Sequence, residues 1–429
     1  MEIKPDFMRQ NNAEKVLIVE DTRSISLLLS ERIESELHFE TNAAFTFEEA
    51  KSILEISTDF FVAILDLNLP DAPNGEIVDF VLSKHIPCII LTATLDDEVR
   101  ERIISRNAVD YVVKQSIWSI EYVIRIIKRV YLNQSIRVLV VDDSPSYRTH
   151  SRSLLEAQRY NVLEARNGEE ALQFLRLHPD VKLIITDYNM PKMDGVELAS
   201  QVRRRFSKEQ VAIIGLSSEA SSVLSARFLK SGANDFLRKP FVSEEFYARV
   251  TQNIEMIELI EKLREAAIKD PLTRLFNRGY CMEAGGRLLD RSRKTGSPFA
   301  VGLVDIDYFK KVNDTYGHDA GDMALRSLAG ILQERVVEPH IVGRFGGEEF
   351  CILASGMNNG DIMPFFESIR ETVEQAEVSY KGQTIRFTIS TGVSTGPMPS
   401  LEGMINRADE LLYQAKREGR NRVILEGAA

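Results

Sequence analysis

Residues 15–240 repeat one pattern twice, and no other feature of the chain limits its fold as much. KVLIVEDTRS, from Lys15, and RVLVVDDSPS, from Arg137, are apolar β-branched runs that end in an acidic pair. AILDLNLP and LIITDYNMP follow, each a buried-type strand ending in an aspartate. CIILTAT and AIIGLSS then end in a hydroxyl residue, and DYVVK and DFLRKP in a lysine. The offset between copies is 122 for Asp21 to Asp143 and 121 for Asp66 to Asp187. It is 125 for both Thr92 to Ser217 and Lys114 to Lys239. Four matched landmarks at nearly one offset mean two copies of one domain. Helical segments such as SISLLLSERIESE and GEEALQFLRLH alternate with the strands. Each copy therefore predicts βαβ units around a parallel sheet covered on both faces.

In such a sheet the ligand site lies at the carboxyl ends of the strands, where all four landmarks fall. Carboxylates held together repel unless a cation sits between them, and all-oxygen ligation favours Mg²⁺. A lysine and a hydroxyl beside them can hold a phosphoryl group, and a carboxylate can itself accept one. These residues resemble the receiver domains of bacterial response regulators over the whole of both copies. The resemblance implies that Glu20, Asp21, Asp142 and Asp143, with Asp66 and Asp187, hold Mg²⁺. It makes Asp66 and Asp187 the phosphoacceptors. Thr92, Lys114, Ser217 and Lys239 would read the phosphorylated state, with Tyr111 and Phe236 at the aromatic switch position. It also implies an upstream histidine kinase or phosphotransfer protein as partner. The first copy departs in two ways. Lys114 is followed by Gln115 rather than proline. The stretch from Asp66 to Thr92 spans 26 residues against 30 from Asp187 to Ser217, which predicts a trimmed third helix. The more complete set favours Asp187 as the main acceptor.

Residues 243–269 contain no Gly or Pro and are rich in helix formers. Met256, Ile260, Leu263 and Ala267 follow the 4-3-4 spacing of a coiled-coil seam, and Val250, Ile254 and Ile257 form a second stripe. Two readings follow: a helix that pairs between protomers, or an amphipathic helix packed on its own receiver.

From Asp270 the pattern changes. An apolar strand, Phe299 to Val304, ends in Asp305-Ile306-Asp307, and IVGRFGGEEFCIL reads as a β-hairpin turning at Gly346-Gly347. Carboxylates from a strand end and a hairpin turn can make an Mg²⁺ site open to triphosphate oxygens. DPLTRLFNR (270–278), DIDYFKKVND (305–314), GHDAGD (317–322), RFGGEEF (344–350) and YQAKREGRNR (413–422) occur in that order. Together they resemble the GGDEF domain of diguanylate cyclases, which condense two GTP into cyclic di-GMP. The resemblance implies that Asp305, Glu348 and the Ile306 carbonyl bind Mg²⁺, and that Phe309 and Lys310 lie along the β- and γ-phosphates. Gly346 and Gly347 would let the backbone approach the nucleotide, and Asn313 and Asp322 would read guanine. Lys416 and Arg420, four apart and so predicted on one helix face, would clamp the phosphates. Glu349 would activate the 3′-hydroxyl. Asp307 reads as structural, and Tyr316, Phe345 and Phe350 as core. Many relatives carry R-x-x-D ending five residues before the glycine pair, a product-binding inhibitory site. Here that window is Val337-Glu338-Pro339-His340, so the site is expected to be absent.

The predicted architecture is α/β multidomain: a polar tail (1–13), two flavodoxin-like (βα)5 receivers (14–134 and 135–250), a connecting helix (243–269) and a GGDEF domain (270–426). A net charge of −11 with no strongly basic block argues against nucleic-acid binding. No apolar run reaches about 18 residues, the N-terminus lacks a secretory h-region, and the three cysteines form no C-x-x-C pair. A cytoplasmic homodimer that avoids membranes is expected. A GGDEF module that senses nucleotide without turnover is the alternative from a different class. A transcriptional regulator is disfavoured because no helix-turn-helix signature follows the receivers.

Overall fold

The computed structural model describes residues 14–93, 108–114, 117–218, 222–395 and 398–427. The tail 1–13 and Gln115 lie outside the described residues. The chain divides into two units, residues 1–260 and 261–429.

The repeat folds as two five-stranded parallel sheets. The first contains β1 (Lys15–Val19), β2 (Glu40–Ala44), β3 (Val62–Asp66), β4 (Cys88–Thr92) and β5 (Asp110–Val113), in the order β2-β1-β3-β4-β5. The second contains β6 (Arg137–Val141), β7 (Asn161–Ala165), β8 (Val181–Asp187), β9 (Ala212–Ser217) and β10 (Asp235–Arg238), in the order β10-β9-β8-β6-β7. Both are the doubly wound 2-1-3-4-5 order, whose switch point falls between the first and third strands. Strands such as VLIV and VAILD are apolar on both faces because each sheet has a core on each side.

The expected trimming of the third helix amounts to a single residue. That helix has 8 residues in the first copy, Glu76–Ser83, and 9 in the second, Gly195–Arg203. Most of the deficit lies in the link to the next strand, which begins at Cys88 or Ala212. Each helix must still bury one face, through Ile77, Val78 and Val81 or through Val196, Leu198 and Val202, whereas a surface link tolerates deletion.

The connecting helix runs Ser243–Ile268, and its inner stripe is as predicted. Of the seam only Met256, Leu263 and Ala267 are exposed; Ile260 is half-buried, and Leu259, outside the predicted spacing, is exposed instead. Val250, Ile254 and Ile257, with Phe246, are buried in the core of the second sheet. Met256, Leu259 and Leu263 remain 52%, 52% and 61% exposed.

The second unit is built on a six-stranded mixed sheet of order β11-β13-β14-β12-β17-β18. Its strands are β11 (Phe276–Asn277), β12 (Phe299–Ile306), β13 (Ile341–Gly346), β14 (Glu349–Ser355), β17 (Ile389–Ser394) and β18 (Val423–Leu425). β15 (Val378–Tyr380) and β16 (Gln383–Ile385) form a separate hairpin. All eight residues of β12 are buried, and the strand runs antiparallel to both β14 and β17. This centres the acids at its carboxyl end on the sheet. Among the described residues no helix is long and apolar enough to cross a membrane.

Candidate functional site

Each receiver sheet brings its landmarks to one end. In the first, Glu20 is fully buried and Asp66 nearly so, and Asp21 is exposed. One carboxylate oxygen from each lies within 4.8 Å of the others, a spacing that suits a shared cation. The Lys114 ammonium bridges them, 2.6 Å from both Glu20 Oε2 and Asp66 Oδ2. Burial raises the pKa of Glu20 even against that lysine. In the second sheet the Lys239 ammonium donates to Asp142 Oδ2 at 2.6 Å and Asp187 Oδ1 at 2.5 Å, with the Tyr147 ring 4.1 Å away. Burial raises the pKa of Asp187. Asp143 is exposed, and among the described residues only the first copy gathers three carboxylates so closely. Thr92 and Ser217 are buried at the ends of β4 and β9, and their carbonyls accept the Lys114 and Lys239 N–H groups. Tyr111 and Phe236 sit half-buried on β5 and β10.

In the second unit, strand pairing assembles the acidic cluster. Asp305 on β12 stands opposite Glu349 on β14, and Glu348 precedes Glu349 in the hairpin turn. Gly347 adopts φ 45° there, a left-handed conformation that glycine reaches without a Cβ clash. The Lys416 ammonium lies 2.8 Å from Asp305 Oδ2. Burial, with Glu348 and Glu349 adding to it against Lys416, pushes the pKa of Asp305 up to about 6. Three acids facing one lysine leave the site short of positive charge, so the donor set fits a hard divalent cation. Ile306 is buried at the end of the same strand.

The helix Phe309–Tyr316 starts directly beyond these acids. Lys310 is exposed on it, whereas the Phe309 ring is in the core, so Phe309 can offer a phosphate only its backbone N–H. Asn313 meets the next helix, His318–Arg335, at Gly321. A Cβ on Gly321 would lie 1.9 Å from Asn313 Oδ1. Gly321 therefore leaves room for the Asn313 amide against the helix that carries Asp322, a role the sequence reading missed although GHDAGD contained the signal. Gly321→Ala should displace Asn313 and weaken nucleotide binding there by about tenfold, the size of one net hydrogen bond. Titration with GTP and with ATP checks this, because the loss should be confined to the guanine nucleotide.

Lys416 and Arg420 do not share a helix face. The helix Leu401–Arg417 ends before Arg420, and Gly419 (φ 117°) and Arg420 (φ 62°) turn the chain left-handed. The Arg420 N–H closes that turn on the Ala415 carbonyl at 3.0 Å. The expected i,i+4 geometry fails because Gly419 lets the helix stop in a left-handed cap.

Sequence reasoning also missed Arg344. Its guanidinium donates to the Gly347 carbonyl at 2.6 and 3.0 Å and to Asp270 Oδ1 at 3.1 Å. Thr273 and Arg344 hold the pKa of Asp270 below the carboxylate range although burial pushes it up. The DPLT segment is thus tied to the glycine turn. Asp307 accepts from Thr388, Ser390 and the Asn421 N–H, a structural use of all its reach. Phe350 is fully buried, and Tyr316 and Phe345 pack against core clusters.

Comparison with known proteins agrees with this geometry. The response regulator receiver domain family matches residues 16–121 and 138–251, and the family described as "Diguanylate cyclase, GGDEF domain" matches residues 267–422. The chain belongs to the response regulators, with two receiver domains followed by a GGDEF domain. It is similar to the response regulator PleD of Caulobacter vibrioides, 32% identical over 303 residues. That match covers 68% of this chain and 66% of PleD, just short of two thirds of the relative's length. It is 36% identical over 180 residues to the diguanylate cyclase DosC of Escherichia coli K12, covering 41% of this chain and 39% of DosC. A solved two-component response regulator/GGDEF domain protein superposes with TM-score 0.51 at 43% identity, over 57% of this chain and 99% of the other.

Proposed function

We propose that this chain is a diguanylate cyclase switched by phosphorylation of its receivers, condensing two GTP into cyclic di-GMP and two pyrophosphates. The convergence of Asp305, Glu348, Glu349 and Lys416 at one strand end carries this reading. Asp305 and Glu348, with the Ile306 carbonyl, would hold Mg²⁺, which supplies charge neutralisation along the triphosphate. Asn313 and Asp322 orient guanine, while Lys310, Lys416 and Arg420 receive the phosphates. Glu349 takes the proton of the 3′-hydroxyl as its oxygen attacks the α-phosphate of the other GTP and pyrophosphate leaves. Each GGDEF domain holds one GTP, so two chains must face each other. A homodimer is therefore part of the mechanism, and catalysis is mostly positioning.

An upstream histidine kinase or phosphotransfer protein would donate phosphate to Asp66, Asp187 or both, in the cytoplasm. Primary product inhibition should be absent. The 337–340 window offers no arginine or aspartate, and the His340 ring nitrogen accepts the Ser355 N–H at 3.2 Å.

Product analysis tests the proposal: GTP and Mg²⁺ with purified protein, with and without beryllofluoride, followed by separation of the nucleotides. Cyclic di-GMP that rises with the phosphate mimic supports it. An unaffected yield overturns the regulation alone, and no product at dimer-forming concentration favours the sensing module. Phosphate incorporation in Asp66→Asn and Asp187→Asn locates the acceptor, with the larger loss expected in Asp187→Asn.

A further inference from the structure

Tyr308 is a large aromatic that stays 62% exposed and holds a left-handed backbone conformation, φ 56° and ψ 31°. A non-glycine residue there costs roughly 1 kcal/mol or more, and this ring recovers little by burial. What it does contact is Arg420. The guanidinium carbon lies 4.4 Å from the ring centroid, and Arg420 Nη1 donates to the Tyr308 hydroxyl at 3.3 Å. Arg420 is itself left-handed, in the turn beyond the C-terminal helix. The same turn is fixed one residue on, where the Asn421 N–H donates to Asp307 Oδ2 at 3.0 Å. Asp307 and Tyr308 thus hold the backbone and the side chain of one turn from two adjacent positions.

We infer that Tyr308 is a positioning residue that presets the Arg420 guanidinium for the nucleotide's phosphates, an inference that rests on the cyclase reading above. A guanidinium lying over a ring uses its flat face, and the hydroxyl takes one N–H, which leaves the other N–H groups at its edge for phosphate oxygens. Arginine loses side-chain entropy when it is fixed. A ring that already restrains it lowers the entropy lost when nucleotide binds. The two phosphate-seeking cations are parked alike beside the β12 exit, Lys416 on Asp305 and Arg420 on Tyr308.

The test is a double-mutant cycle in the full chain with Mg²⁺, reading kcat, KM for GTP, and binding of both a non-hydrolysable GTP analogue and guanosine. Tyr308→Ala should weaken the GTP analogue and raise KM by about three- to fivefold, the usual strength of an exposed cation–π contact, with a smaller change in kcat. Guanosine binding should not move. Tyr308→Phe keeps the ring and should stay within about twofold of wild type. Tyr308→Ala made in an Arg420→Ala background should add nothing. Equal weakening of guanosine, or full additivity with Arg420→Ala, would make Tyr308 merely structural and overturn the inference. If Arg420→Ala alone leaves the GTP analogue bound as in wild type, the phosphate-clamp reading fails first. If Arg420→Ala weakens it and Tyr308→Ala does not, the clamp stands and the role of Tyr308 falls.

Discussion

Asparagine in place of Asp305 is expected to lower cyclic di-GMP formation by about a thousandfold or more, since a catalytic cation supplies several kcal/mol of charge stabilisation. The reason is local. Asp305 is 3% exposed, faces Glu349 across the sheet and contacts the Lys416 ammonium, while Asp307, the other acid at the strand end, is engaged by Thr388, Ser390 and the Asn421 N–H. Glu348→Gln should act in the same direction. The fold should survive the change. A carboxyl whose pKa is about 6 when folded and lower when unfolded makes the metal-free protein lose stability as pH rises toward 6. Above that pH the ionised group opposes folding, and a neutral amide relieves it. The melting temperature of Asp305→Asn without metal at neutral pH should therefore equal or exceed that of wild type, while turnover is lost. Wild-type turnover in this variant would remove Asp305 from the metal site. A fall in both turnover and melting temperature would assign Asp305 to packing.

The features legible in the sequence are those set by strand ends. The landmarks Asp66, Thr92, Lys114 and their second copies each close an apolar run, and a parallel sheet must bring such ends together. Asp305 and the glycine hairpin were legible for a related reason, because an apolar strand and a hairpin turn each end in acids, and the sheet pairs Asp305 with Glu349. The misses lie where the chain leaves regular structure. Spacing alone placed Arg420 on the helix of Lys416, but Gly419 ends that helix, and i,i+4 geometry holds only while the helix lasts. Gly321 went unassigned because its value is the room it leaves for Asn313, from another helix. Arg344 looked like an ordinary strand residue until its partners, Gly347 and Asp270, were seen together. Distance in space, rather than pattern along the chain, decides those roles.

Aspartate at both Met256 and Leu263 should separate the proposed dimer and leave the receivers folded. The connecting helix has already divided its apolar residues: Phe246, Val250, Ile254 and Ile257 serve the receiver core, while Met256, Leu259 and Leu263 face outward. An exposed stripe at near-heptad spacing gains only by meeting another, and the reaction proposed above, between two bound GTP molecules, would make a second copy of the chain the partner. Burying a side chain of this size contributes about 1.5 to 3 kcal/mol. Met256 and Leu263 are already about half-buried, so two lost from each protomer amount to about 3 to 6 kcal/mol of dimer stability, or roughly 10²- to 10⁴-fold in its dissociation constant. Sedimentation should then show monomers at micromolar protein. Specific activity should be low there and climb with concentration, whereas wild type should be flat over the same range. Phosphate incorporation at the receivers should be unchanged, because neither residue is in their cores. A variant that still sediments as a dimer with full activity would mean that the cyclase domains meet through another surface, and that the stripe has no part in joining them.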